Sequence, residues 1–257
     1  MSSDHPTADS GPLVPSRAVV PRRRRFWFLV RDVLVIVVIA IVVSLVIKTF
    51  LVRSFYIPSG SMEQTLHVKD RILVDELTPR FTGYERGDVV VFRDPGGWLA
   101  VDTSASRPSA LVQVGDWLLS LVGITASDSD EHLIKRIIGL PGDHVVCCNA
   151  LGQITVNDTP IDETSYLNLA TGQSAPQPVP FDVTVPAASL WVLGDNRDHS
   201  RDSRYNVEQP SRGFVPLDNV VGRAFLITWP LNRFGTIDGH HDVFAGVPAA
   251  APASAAQ

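Results

Sequence analysis

Cysteine is almost absent from this chain of 257 residues: there are two, Cys147 and Cys148, and they are neighbours. Two adjacent thiols cannot staple a disulfide scaffold, and their spacing fits no zinc-binding pattern. Two half-buried thiols at a strand end is one reading. A vicinal disulfide is the other, if this part of the chain lies outside the cytoplasm. An excess of basic charge is missing too. With a net charge of −5, nothing in the global balance points to nucleic acid. No internal repeat is visible, and strands do not alternate with long helices, which argues against a parallel α/β sheet. None of the seven histidines sits in a nucleophile-elbow or histidine-triad context.

Long apolar runs are scarce as well, and the single one present organises the N-terminal fifth. Residues 33–52 read VLVIVVIAIVVSLVIKTFLV, with Lys48 the only charge. As a helix, about 20 such residues span one hydrocarbon core, and the stem of Lys48 can snorkel toward the head groups. A soluble helix is rarely apolar on every face, and no small-x-small cleavage site follows the run, which sets aside a cleaved signal peptide. Residues 1–25 form a basic cytoplasmic tail, disordered for want of anything to bury and closed by Arg22 to Arg25. Basic residues before the span place the N-terminus inside and the rest of the chain outside. The expectation is one N-terminal transmembrane helix with its flanks (26–53) and an extracytoplasmic domain (54–235).

That domain reads as mainly β. Short β-branched runs stand at 71–75, 88–92, 134–138, 144–147, 154–156, 181–185, 190–193 and 220–228, separated by turns such as Pro141-Gly142-Asp143. Residues 94–132 interrupt the pattern. Within them, 110–124 reads as a short helix, either dipping into the membrane interface or packed on the sheet. Residues 236–257 read as a low-complexity C-terminal tail, rich in Ala, Pro and Ser after Val247.

Three polar stretches stand out. Ser61 lies in Tyr56-Ile57-Pro58-Ser59-Gly60-Ser61-Met62, directly after the apolar run. A serine hydroxyl is a poor nucleophile without a base. Lys135 is the candidate base, because burial on the core side of a strand would lower its pKa. On spacing alone, Lys135 reads instead as a surface lysine beside a surface arginine. The third stretch runs from Gly194-Asp195-Asn196-Arg197-Asp198 to Arg204 and reads either as a solvated turn or as a loop locked by Asp–Arg pairs.

Together these stretches resemble the bacterial type I signal peptidases, membrane-anchored Ser/Lys proteases of the export pathway. Ser59-Gly60-Ser61-Met62 with Thr65-Leu66 is similar to the family's nucleophile box, and Gly87-Asp88-Val89-Val90-Val91-Phe92 to the next. Lys135-Arg136 with Gly139-Leu140-Pro141-Gly142-Asp143 is similar to the lysine box, and 194–204 to the last. The resemblance implies a mainly antiparallel β fold, Ser61 as nucleophile and Lys135 as general base. It further implies an oxyanion hole from the Ser61 N–H and the Ser59 hydroxyl, a Lys135 amine oriented by Ser200, and a loop supported by Asp195, Asp202 and Arg204. The implied partners are signal peptides of exported preproteins, bound as an added strand with small residues at −3 and −1. The lipid bilayer and the neighbourhood of the secretion translocon are also implied, with no metal, cofactor or nucleic acid. Gln64 stands where the family usually has proline, and His199 where it usually has asparagine. Two rivals remain: a self-cleaving repressor, which this chain matches in neither span nor DNA-binding domain, and an inactive membrane-anchored β domain that binds export clients.

Overall fold

The computed structural model describes residues 22–50, 52–99, 132–169, 173 and 176–250. The chain divides into one unit spanning Met1–Leu45 and another spanning Val46–Gln257. Most of α1 (Arg22–Phe50) belongs to the first. No proline or glycine occurs between 22 and 50, so nothing breaks the helix. Among the described residues, no helix is long and apolar enough to cross a membrane. The expected insert helix at 110–124 and the tail up to residue 21 lie outside the described residues.

The second unit is built of antiparallel strands, as the mainly β expectation required. In chain order they begin with β1 (Val52–Tyr56), β2 (Arg71–Asp75), the short helix α2 (Thr78–Thr82), β3 (Val89–Arg93), β4 (His132–Gly139) and β5 (His144–Cys147). There follow β6 (Thr155–Val156), β7 (Thr159–Pro160), β8 (Phe181–Thr184), β9 (Ser189–Leu193), β10 (Val215–Pro216), β11 (Val220–Trp229) and β12 (Gly235–Thr236). The larger sheet has the order β1-β2-β11-β3-β4-β9-β10, with β12 on β11, and the smaller β7-β6-β5-β8. Cys147 and Cys148, at the end of β5, are joined as a vicinal disulfide, so the free-thiol reading is set aside.

Core packing fixes the regions that matter later. Phe55, Ile57, Met62, Leu66, Ile72, Val74, Val89 and Val91 form one buried cluster, which seats both β1 and the turn after it. A second gathers Ile138, Val145, Val156, Trp191 and Leu193 between the two sheets. A third packs Phe92, Ile137 and Val192 against Trp98, whose ring meets Phe92 edge-on with centroids 5.7 Å apart.

From Val52 the chain is a strand paired with β2, with Phe55 and Ile57 turned into the core. One boundary differs from the sequence reading. Residues 236–247 are not the start of a low-complexity tail. Phe244 and Val247 belong to the second core cluster, and a one-turn 3-10 helix spans His241–Phe244. Two apolar anchors within four residues suffice to dock a segment whose composition looks polar.

Phe244 is 6% exposed. Phe244→Ala should therefore cost about 3 kcal/mol of stability, read as a lower urea midpoint. An unchanged midpoint would mean that the C-terminal segment adds nothing to the core.

Candidate active site

The turn after β1 places Ser61. Ile57 N–H donates to the Asp70 carbonyl and Lys69 N–H to the Ile57 carbonyl, both at 2.9 Å, which closes the loop at its base. Met62 and Leu66, both fully buried, pull the turn onto the core. Between these anchors Gly60–Met62 forms a single 3-10 turn with Ser59 at its N-cap. The opening N–H groups of such a turn have no partner within it. Gln64 has φ +90, which the fixed ring of proline cannot adopt. The departure from the family's usual proline thus comes with a backbone that proline could not adopt.

Lys135 lies on β4, in register with Val90 of β3. It is 3% exposed, and its neighbour Arg136 is fully buried, so the surface reading of this pair is overturned. Lys135 Nζ lies 2.7 Å from Ser61 Oγ and 2.9 Å from the Ile134 carbonyl oxygen. Burial pushes the amine down from 10.5 to about 8, against the opposing pull of Asp202 and then Asp195. An amine of that pKa is half neutral at a pH of about 8, and its nearest hydroxyl is that of Ser61.

The other expected residues converge on the same place. Ser59 Oγ lies 3.4 Å from Ser61 Oγ, on the exposed rim. Asp195 receives a bidentate pair from Arg136, Nε at 2.9 Å and Nη2 at 2.8 Å, and the hydroxyl proton of Thr65. Asp202 accepts the Gly194 N–H at 3.0 Å and both Nε and Nη2 of Arg204 at 2.9 Å. The Asp–Arg lock expected for 194–204 is therefore formed by Asp202 with Arg204, whereas Asp195 reaches outside the loop to the strand that carries Lys135. Ser200 Oγ is buried and makes no hydrogen bond among the described residues. The expected bond from Ser200 to Lys135 is thus not present. Ser200 does pack on Gly194, where an added Cβ would overlap both Ser200 Oγ and the Ser61 carbonyl oxygen. His199 is exposed, and the hydroxyl of Ser61 is engaged by Lys135 instead.

Comparison with known proteins bears on the same residues. Residues 30–229 match the family described as signal peptidase, peptidase S26. The chain belongs to this family. It is 39% identical over 224 residues to a signal peptidase I from Mycobacterium tuberculosis, covering 81% of this chain and 75% of that one. It is 34% identical over 190 residues to a signal peptidase I from Leptolyngbya laminosa, covering 74% and 75% of the two chains. A crystal structure of a signal peptidase I from Enterococcus faecalis shares 24% identity at a TM-score of 0.33, over 55% of this chain and 95% of that one, too weak a likeness to add to the assignment. As a signal peptidase, the chain is a serine endopeptidase, and neither the repressor nor the non-enzymatic binder describes it.

Several residues of this signal peptidase site gave no signal as individuals. Arg136 Nη1 also donates to the carbonyls of Gly87, Asp238 and Gly239 at 2.7, 3.2 and 3.1 Å. Its guanidinium lies 4.4 Å from the centroid of the Tyr166 ring. Arg197, buried, pairs with Glu163, and Tyr166 donates to the same carboxylate at 2.6 Å. Burial and then the Glu163 charge push the Tyr166 phenol well above 10.0, so it stays protonated as that donor. Asn196 holds the Ser61 turn through the Gly60 and Ser61 carbonyls. Among the described residues, no group of three or more His, Cys, Asp or Glu side chains is arranged to hold a metal.

Gly194→Ala should abolish cleavage, since the added methyl must displace the backbone of Ser61 or the Ser200 side chain. The measurement is turnover of a preprotein by folded variant. Wild-type turnover would show that the Ser61–Gly194 contact is not constrained.

Proposed function

We propose that Ser61 is the nucleophile and Lys135 the general base of an enzyme that removes signal peptides from exported preproteins after small-x-small sites. The observation that carries this reading is the 2.7 Å approach of a buried Lys135 Nζ to Ser61 Oγ. Neutral Lys135 takes the Ser61 proton as Oγ attacks the carbonyl carbon of the scissile bond. The oxyanion then accepts hydrogen bonds from the Ser61 N–H and the Ser59 hydroxyl, donors that matter most when charge develops. Lys135 returns its proton to the departing amine, the new N-terminus of the mature chain. Water, deprotonated by the same amine, releases the signal peptide from the ester on Ser61. Ser200 acts as a support for the Lys135 side chain across Gly194, and Asp195, Asp202 and Arg204 hold the surrounding loop.

Substrate enters as an extended strand, a mode that uses main-chain hydrogen bonds for affinity. Strand β4 supports this: β9 pairs with it only from Arg136 onward, which leaves the 132–135 half with β3 as its strand partner. Beside that half lies a shallow cleft of about 20 Å³ lined by Phe55, Ile57, Val91 and Ile134 among others. A space so small suits an alanine or serine side chain and rejects larger ones.

Localisation follows the same reading. The apolar run at 33–52 anchors the enzyme as a single pass with the N-terminus inside and the catalytic domain on the extracytoplasmic face, near the translocon. Support comes from the helical conformation over Arg22–Phe50 and the basic residues at its start. Confinement to the bilayer plane raises the effective concentration of enzyme and cleavage site. The domain limits 26–53 for the anchor, 54–235 for the peptidase and 94–132 for its insert are part of this proposal, extended at the C-terminus to Val247.

The pH dependence has a definite sign. The protonated amine is inactive, so kcat/KM should rise with pH through about 8 and level off above it; below the midpoint it should fall about tenfold per pH unit. Ser61→Ala and Lys135→Ala should both abolish cleavage of a preprotein by detergent-solubilised enzyme, and a fully active Lys135→Ala would sink the lysine assignment. Lys135→Met should be inactive yet unfold at a higher temperature at pH 7, because it removes a charge that burial disfavours. A lower unfolding temperature would contradict the desolvation argument.

A further inference from the structure

The residue after Asp195 grips the nucleophile turn at two consecutive carbonyls. Asn196 is 3% exposed. Its backbone N–H donates to the Ser61 carbonyl at 3.1 Å. Its side-chain Nδ2 donates to the Gly60 carbonyl at 3.1 Å and lies 3.4 Å from a carboxylate oxygen of Glu63. The peptide joining Gly60 to Ser61 is trans. In a trans unit the C=O and N–H lie in one plane and point to opposite sides. Holding the Gly60 oxygen therefore fixes the direction of the Ser61 N–H, turned away from Asn196. The bond to the Ser61 oxygen fixes the next plane in the same way. A carbonyl that accepts a hydrogen bond also polarises its own peptide, which makes the N–H at the other end a stronger donor.

Simple attachment of loop to turn does not account for the side-chain bond. The loop is already locked by Asp202 with Arg204 and by Asp195 with Arg136. The turn is seated by Met62 and Leu66 in the core. What the Asn196 amide adds is orientation of one peptide plane, and that plane carries the Ser61 N–H. Only a donor can do this, so a carboxylate of the same shape cannot replace it.

We infer that Asn196 is a positioning residue of the oxyanion hole: its side-chain amide holds the Gly60 carbonyl so that the Ser61 N–H is presented to the developing oxyanion. The inference rests on the reading of Ser61 as nucleophile.

The test compares full-length wild type, Asn196→Ala, Asn196→Asp and Ser61→Ala on a preprotein across a pH series. It also uses a peptide aldehyde ending at the −1 residue and the matching peptide alcohol. The aldehyde is attacked by Ser61 Oγ, whose proton passes to Lys135, and its carbonyl oxygen becomes the group held in the hole. The alcohol occupies the same cleft without forming that bond. Loss of a hole donor lowers kcat by about 10²–10³-fold, so misaiming one should lower it about 10- to 100-fold. KM, the pH midpoint and alcohol affinity should stay near wild type, while aldehyde affinity falls by a factor similar to that in kcat. A merely structural role would instead move KM, the midpoint and alcohol affinity together with kcat, and that pattern overturns the inference. So does wild-type kcat in both Asn196 variants. Should Asn196→Ala fail to fold, the isosteric Asn196→Asp carries the comparison. Full activity in Ser61→Ala would mean that the nucleophile reading itself has failed. An inactive Ser61→Ala beside wild-type-like Asn196 variants would sink the positioning role alone.

Discussion

Keeping water from a lysine amine lowers its pKa toward neutrality, and the larger sheet of this protein holds Lys135 buried in that way. Lys135 sits mid-strand, 2.7 Å from Ser61, with burial as the main cause of its lowered pKa. Two carboxylates nearby, Asp202 and Asp195, pull in the opposite direction. Each of them is already paired with an arginine, Asp202 with Arg204 and Asp195 with Arg136. An ion pair acts on a third charge far more weakly than a bare carboxylate at the same distance, because its two fields largely cancel. The arginines thus allow acidic residues to brace the site with less pull on the charge of Lys135, the base in the proposed mechanism.

The same pairs join stretches that are remote in the chain. Arg136 connects the strand of Lys135 to Asp195, to Thr65 just after the Ser61 turn, to Gly87, and to the carbonyls of Asp238 and Gly239. The last two lie beyond the region that matches the signal peptidase family, which ends at residue 229. A buried guanidinium needs all its N–H groups satisfied, and here the C-terminal segment supplies part of that satisfaction. Phe244 and Val247 hold the segment in place. Packing of the C-terminal segment is in this way coupled to the electrostatics of the site.

How much of this could be read beforehand depended on whether the signal was local. Strands β2 and β5 fell on the runs expected for them, since β-branched residues between turns are a local pattern. Strand β1 was hidden because it opens on Val52, the last residue of the apolar run, and β7, β10 and β12, of two residues each, carry no periodicity at all. Ser61 was conspicuous through its motif. Lys135 was legible only with the motif around it, since a lysine beside an arginine on a strand says nothing of burial. Arg136 with Asp195, and Arg197 with Glu163, are contacts across many residues between groups that look like ordinary surface charges. Neither partner reveals the other until the chain is folded. Ser200 is the reverse case: motif reasoning expected a bond to Lys135 that this structure does not contain.

The central claim is that burial sets the base, and the most direct check is the ionisation of Lys135 itself. Lysine side chains labelled with ¹⁵N would be followed by NMR through a pH titration of Ser61→Ala, with Lys135→Met used to assign the resonance. A midpoint near 8 is the predicted result. A midpoint at the ordinary lysine value of about 10.4 would mean that the amine is charged whenever the enzyme works, and would contradict the account.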